Sequence, residues 1–69
     1  MNEKIEFLTN KILKIRQHIG NNMKEQAFFM TQENDFMIDK IDSAIKNLNA
    51  ELRVLESKLK EAYHERISD

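Results

Sequence analysis

The spacing of Glu61 and His64 is the first feature of this 69-residue chain that could support chemistry. Glu-x-x-His is the spacing by which facing helices of some bundles hold a pair of metal ions, but it must occur twice and be joined by further inward-facing glutamates. Structural zinc sites draw mainly on cysteine and histidine. The chain has no cysteine and two histidines, so we predict no metal or other cofactor and interpret His64 as a surface residue.

Signatures of other chemistry are missing from the sequence. With one glycine there is no phosphate-binding loop, and neither a nucleophile elbow nor a His-Glu-x-x-His motif occurs. We therefore predict no catalytic residues and no enzyme. The formal charge of −1 gives no overall basic field for nucleic acid. The sequence has no apolar run of the ~18 residues that a membrane span needs and no secretory signal at Met1–Lys4, so we expect a cytoplasmic protein.

The apolar residues of the first third predict a helix. Their spacings alternate between three and four, which places them on one helix face; they are Ile5, Leu8, Ile12, Ile15 and Ile19. Basic residues flank this stripe, which could in principle lie on an anionic membrane, but the strict spacing favours a partner helix. Gly20 then offers the left-handed conformation that ends many helices, and Asn22 followed by Glu25 is typical of a helix start. This predicts a short helix at about 3–19.

After Asn22 no strong helix breaker appears, so we predict a long second helix at about 22–66. The resulting fold is an all-α helical hairpin with unequal arms, forming a single domain over 1–69. The short arm is too short to cover the far end of the long one, so an oligomer seam is expected there, with coiled-coil packing in a homodimeric bundle. The seam residues are Ile38, Ile41, Ile45, Leu48, Leu52, Leu55, Leu59 and Ala62. A break near Thr31–Asp35 is the alternative, because Thr31 and Asn34 can both cap helices. It would give three helices, with a short middle one.

Bulky, soft side chains concentrate next to this alternative break. They are Phe28, Phe29, Met30, Phe36 and Met37. One interpretation is that they pack under the short arm in the core of a four-helix dimer; the other is an exposed patch that binds a partner protein. Asn34, between them, either lies on the seam and fixes the register or lies at a helix start or rim that water reaches.

Charge differs between the two sides of the predicted turn. Residues 1–24 carry five basic and two acidic side chains, whereas 25–45 carry five acidic residues and one lysine. We expect the basic arm to fold back on the acidic segment, although each exposed pair would contribute only ~0.2–1 kcal/mol.

The segment 31–38, Thr-Gln-Glu-Asn-Asp-Phe-Met-Ile, resembles the Ser-Gln-Glu-Leu-Asp-x-Leu-Ile signature of the small sporulation aspartyl-phosphate phosphatases. Those are helical hairpins of similar size that act on phosphorylated response regulators. The resemblance also places Ile5, Ile12 and Gly20 near the apolar positions of the family's first helix and its glycine. It implies that Gln32 orients a water at the partner's phosphoryl-aspartate and that Asp35 helps to dock the partner. Asn34 stands where the family has leucine, and the following arm is longer.

Taken together, these patterns favour a small non-enzymatic interaction module, which is an adaptor, chaperone or inhibitor of another protein. It would act through helix–helix packing, with itself and one unidentified protein as partners and the Phe/Met segment as the docking face. The phosphatase activity implied by the resemblance is the first alternative, and a purely architectural coiled coil is the second.

Overall fold

A computed structural model describes the backbone of residues 2–68 and the side chains of residues 2–65. It contains two helices, α1 (Glu3–Thr31) and α2 (Asp35–Ser68), which pack against each other along their lengths. The molecule measures 54 × 17 × 11 Å. The predicted all-α helical hairpin is therefore confirmed, but the unequal arms are wrong, because α1 has 29 residues and α2 has 34.

Helix α1 begins at a side-chain cap. The Oδ1 atom of Asn2 accepts hydrogen bonds from the amide groups of Lys4 and Ile5, at 3.0 and 3.2 Å. These bonds satisfy donors that have no partner inside a helix, and Glu3 and Glu6 add negative charge to the first turn, where the helix dipole favours it. The beginning of α1 agrees with the predicted start at about residue 3.

Gly20 does not end the first helix, so the predicted boundary at 19 is wrong. Gly20 has no positive φ and lies inside α1, as do Asn22 and Glu25, which were interpreted as a new helix start. Glycine in a helix interior costs only about 1 kcal/mol relative to alanine. Continuing α1 through three further turns allows it to cover α2, and burying one leucine or isoleucine stabilises by about 1.5–3 kcal/mol. The packing therefore outweighs the glycine.

The chain reverses at residues 32–34, where the alternative break was placed, but the short middle helix of that alternative does not form, because α1 continues through Gly20 to Thr31. The amide of Glu33 donates to the carbonyl oxygen of Met30 at 3.1 Å, and the amide of Asn34 donates to that of Phe29 at 3.0 Å. This pair of bonds is the Schellman motif, which closes a helix when the residue after its cap is left-handed. That residue is Glu33, with φ 53, and glycine is the usual choice there.

Asn34 then starts the second helix. Its Oδ1 accepts from the amide of Met37 at 3.2 Å, and its carbonyl oxygen accepts from the amide of Ile38 at 3.0 Å. Of the two interpretations of Asn34, the helix start is confirmed. Thr31 does not cap α2, because it is the last residue of α1 and its hydroxyl donates back to the carbonyl oxygen of Phe28.

The hydrophobic core lies between the first half of α1 and the second half of α2. The buried side chains of this cluster are Ile5, Leu8, Ile12, Ile15, Leu55 and Ala62, and the half-buried ones packed against it are Ile19, Leu48, Leu52 and Leu59. The apolar stripe predicted for the first helix is thus the α1 side of the core. Ile41 is also buried, nearer the turn, with Ile38 and Ile45 half-buried beside it.

The α2 side of this core consists of residues predicted as an oligomer seam. That prediction followed from a short arm that could not reach Leu48–Ala62. In the structure α1 reaches them, because a turn at 32–34 places its first half opposite the end of α2. Their burial therefore does not require a helix from a second chain.

Two ion pairs join the helices and show which segments face each other. The Nζ atom of Lys4 lies 3.6 Å from a carboxylate oxygen of Glu65. A guanidinium nitrogen of Arg16 lies 3.3 Å from a carboxylate oxygen of Glu56. Both pairs are exposed to solvent, so each contributes little to stability. The expectation that the basic arm folds onto the acidic 25–45 segment is wrong for these two residues, because they face the charge-balanced end of α2 instead.

Candidate interaction surfaces

The turn end of the hairpin, residues 25–45, is here called the tip. Three of the five residues predicted to bind a partner have mostly exposed side chains there: Phe28 is 57% exposed, Met30 56% and Phe36 74%. Phe29 and Met37 are half-buried. The predicted set thus divides into three exposed and two half-buried residues.

Contacts within the tip hold this group in place. The rings of Phe28 and Phe29 meet edge to face, with centroids 5.3 Å apart and planes at 72°. This geometry is favourable for aromatic pairs. The side-chain amide of Gln26 donates to the carbonyl oxygen of Ile38 at 3.2 Å and joins the two helices close to the turn. Phe28 thus packs against Phe29 within α1, and the hydrogen bond from Gln26 joins the two helices nearby.

The tip is also strongly acidic. Its five acidic residues are opposed by a single lysine in the same segment; they are Glu25, Glu33, Asp35, Asp39 and Asp42. Four of them are exposed, and the side chain of Asp42 is 50% exposed. Asp42 also forms an ion pair with Lys46, which lies just beyond the tip, at 3.2 Å. Because the basic half of α1 lies at the other end of the molecule, its charges do not neutralise this group. The tip combines exposed aromatic and thioether groups with negative charge.

The segment that resembles the phosphatase signature lies at the turn. Gln32 and Glu33 occupy the turn itself, and Asp35 is the first residue of α2; all three are exposed. Asn34 stands where the phosphatase signature has leucine. In this structure Asn34 caps α2 and its side chain is half-buried, which explains an asparagine at this position.

A second surface was not predicted as a site from the sequence. At the opposite end from the tip, a groove of about 430 Å³ runs between the helices, lined by Thr9, Ile12, Leu13, Arg16, Glu56, Leu59, Lys60, Tyr63 and His64. Leu13 is 56% exposed and Tyr63 43% exposed. The signal in the sequence was weak, since each of these two residues is a single apolar side chain next to the predicted stripe.

The described part of the chain contains neither a cluster of candidate metal ligands nor a membrane-spanning helix. Among residues 2–65, no group of three or more histidine, aspartate and glutamate side chains is arranged to hold a metal ion. Glu61 and His64 are both exposed, and His64 lies at the groove. Neither α1 nor α2, as far as the structure describes them, has the length and apolar character needed to cross a bilayer.

The fold and its surfaces define this chain as an all-α helical hairpin. Compared with protein-family models, with curated proteins and with solved structures, it matches none of them. The resemblance of 31–38 to the phosphatase signature therefore rests on the residues of that segment and on the hairpin.

Proposed function

We propose that this hairpin is a non-enzymatic interaction module of the cytoplasm that binds another protein through its tip. The observation that carries the proposal is the exposure of Phe28, Met30 and Phe36 on an acidic helix end. Clusters of large apolar side chains on a surface mark interaction sites, and Phe and Met adapt well to a partner. These three side chains lie outside the hydrophobic core, so they are available to a partner.

The composition of the tip also defines the chemistry of the partner. An apolar cleft would receive the aromatic side chains, and lysine or arginine around the cleft would face the tip's carboxylates. Association with such a surface would be accelerated by electrostatic attraction and would slow as salt is added. A partner of this kind would be inhibited, held or linked to other proteins by the hairpin.

The test is affinity capture with matched variants, followed by mass spectrometry. Phe28→Ala and Phe36→Ala should each abolish capture of a specific protein while leaving the helical content unchanged, because both side chains are largely exposed. Phe7→Ala, at an equally exposed site (60%) towards the other end of α1, should leave capture intact. Equal capture by all three variants would show that the tip is not the docking site, and an architectural role would then be favoured.

A second candidate is the phosphatase activity implied by the resemblance. It is favoured by one observation, the exposure of Gln32 and Asp35 at the turn, where both could reach a partner. The Gln32 amide would orient a water that attacks the phosphorus of a phosphoryl-aspartate, releasing inorganic phosphate and the free carboxylate. A phosphorylated response regulator should then lose phosphate faster with the hairpin present, and Gln32→Ala should remove the acceleration. An unchanged rate across a panel of regulators from the host would eliminate this candidate.

A further inference from the structure

The hairpin exposes more surface than a compact protein of its mass. Its accessible area is 5605 Å², whereas a folded monomer of 8.2 kDa has about 4,500 Å² by the usual scaling. The Cα radius of gyration is 16.0 Å, against about 11 Å expected for a compact chain of this length. The excess of about 1,100 Å² is slightly more than the ~800 Å² that each partner buries in a standard protein–protein interface.

The groove between the helices is suited to part of that interface. Its floor is apolar, because the core residues Ile12 and Leu59 reach it, and the half-exposed side chains of Leu13 and Tyr63 border it. Two packed helices expose such a groove on each side, and in bundles a groove of this kind is covered by further helices.

The charged residues along the groove indicate which partner covers the groove. A two-fold symmetric interface places the same patch on both partners, so the patch must be complementary to itself. The groove is compatible with this condition, because it carries both signs of charge. Glu56 pairs with Arg16 of its own chain at 3.3 Å, but its side chain stays 46% exposed and can also face Lys60 of a second copy. The tip does not meet this condition, because five acidic residues opposed by one lysine would repel a second tip.

We infer that the Leu13–Tyr63 groove binds a second copy of this chain, giving a two-fold dimer of hairpins whose tips remain free. This surface shares only Leu59 with the predicted seam. The groove and the tip are separate surfaces, so the dimer and the docking of another protein can fail independently.

Sedimentation equilibrium of the full chain measures this directly. The wild type should sediment with twice its mass of 8.2 kDa at micromolar to millimolar concentrations. The double variant Leu13→Gln/Tyr63→Gln should raise the dimer dissociation constant at least tenfold. Phe7→Gln and Val54→Gln, which change equally exposed apolar residues that do not line the groove, should leave it within about twofold, since surface substitutions away from an interface have small effects. The tip variant Phe36→Gln should behave like these controls.

A cross-linking measurement covers the case in which the double variant fails to fold. A photoreactive benzoylphenylalanine at position 13 keeps the groove apolar, and irradiation should give a covalent dimer; the same group at position 54 should not. Wild-type protein that stays monomeric up to 1 mM overturns the inference. So do equal dissociation constants for groove and control variants, or equal cross-linking from positions 13 and 54.

Discussion

The amide N–H of Asn34 donates to the carbonyl oxygen of Phe29 at 3.0 Å, and between them Glu33 adopts a left-handed backbone with φ 53. This bond closes α1 and reverses the chain. The residue that carries the left-handed conformation is a glutamate, while the single glycine of the chain lies in the helical interior of α1. Glycine would therefore suit position 33 better than glutamate does, and a residue with a side chain would suit position 20 better than glycine does. The effect of each exchange on the free energy of unfolding can be measured.

Glu33→Gly should raise the free energy of unfolding by about 0.5–1 kcal/mol. A residue with a side chain in the left-handed region costs roughly 1–2 kcal/mol of conformational free energy, and glycine removes this cost. Part of the gain is offset because glycine increases the entropy of the unfolded chain. Urea denaturation followed by circular dichroism measures the change. Glu25→Gly, at an exposed helical position in α1, is the control and should lower the free energy by about 1 kcal/mol. Destabilisation by both variants would contradict the left-handed turn.

Gly20→Ala should stabilise the protein by about 1 kcal/mol, because alanine is the better residue in a helix interior. A Cβ atom added at Gly20 meets no other group within 4 Å, so no clash opposes this gain. For a domain of this size the midpoint of thermal unfolding should rise by about 4–8 °C. If the chain turned at Gly20 instead, the same substitution would lower the midpoint, which makes this variant a direct test of where α1 ends.

Asn34→Ala should lower the free energy of unfolding by about 1 kcal/mol, because α2 loses the side-chain oxygen that accepts from the amide of Met37. Asn47→Ala is the matched control. Asn47 is exposed inside α2, where alanine is the stronger helix former, so this change should stabilise slightly. Chemical denaturation of both variants distinguishes a cap from a general effect of removing asparagine, and equal effects would contradict the cap.

Ile12→Ala should destabilise by about 2–5 kcal/mol, the range for truncating a buried aliphatic side chain. Ile12 is only 5% exposed and lies in the cluster that joins α1 to the end of α2. In so small a domain this loss should leave much of the chain unfolded, which far-ultraviolet circular dichroism would detect. Val54→Ala, at a site 54% exposed, should change stability by less than about 0.5 kcal/mol. Similar losses for both would show that α1 does not cover α2 as described.

The candidate site could be predicted only in part. The five bulky residues were identified from their density in the sequence, but their division into exposed Phe28, Met30 and Phe36 and half-buried Phe29 and Met37 depends on where the chain turns. The groove could not be predicted, because Leu13 and Tyr63 are far apart in sequence and become neighbours only when the two helices pack antiparallel.

The sequence by itself determined the helical class of the chain and the buried face of the first half of α1. Heptad spacing is a property of one helix face, so Ile5, Leu8, Ile12 and Ile15 could be recognised as a buried stripe before any partner was known. The tertiary structure decided where the hairpin turns and what covers Leu48–Ala62. Gly20 and Glu33 each cost only about 1–2 kcal/mol in their positions. Covering several leucines and isoleucines of α2 with a longer α1 stabilises by more, since each contributes about 1.5–3 kcal/mol when buried. That comparison involves residues as distant in sequence as Ile5 and Ala62, and no local pattern contains it.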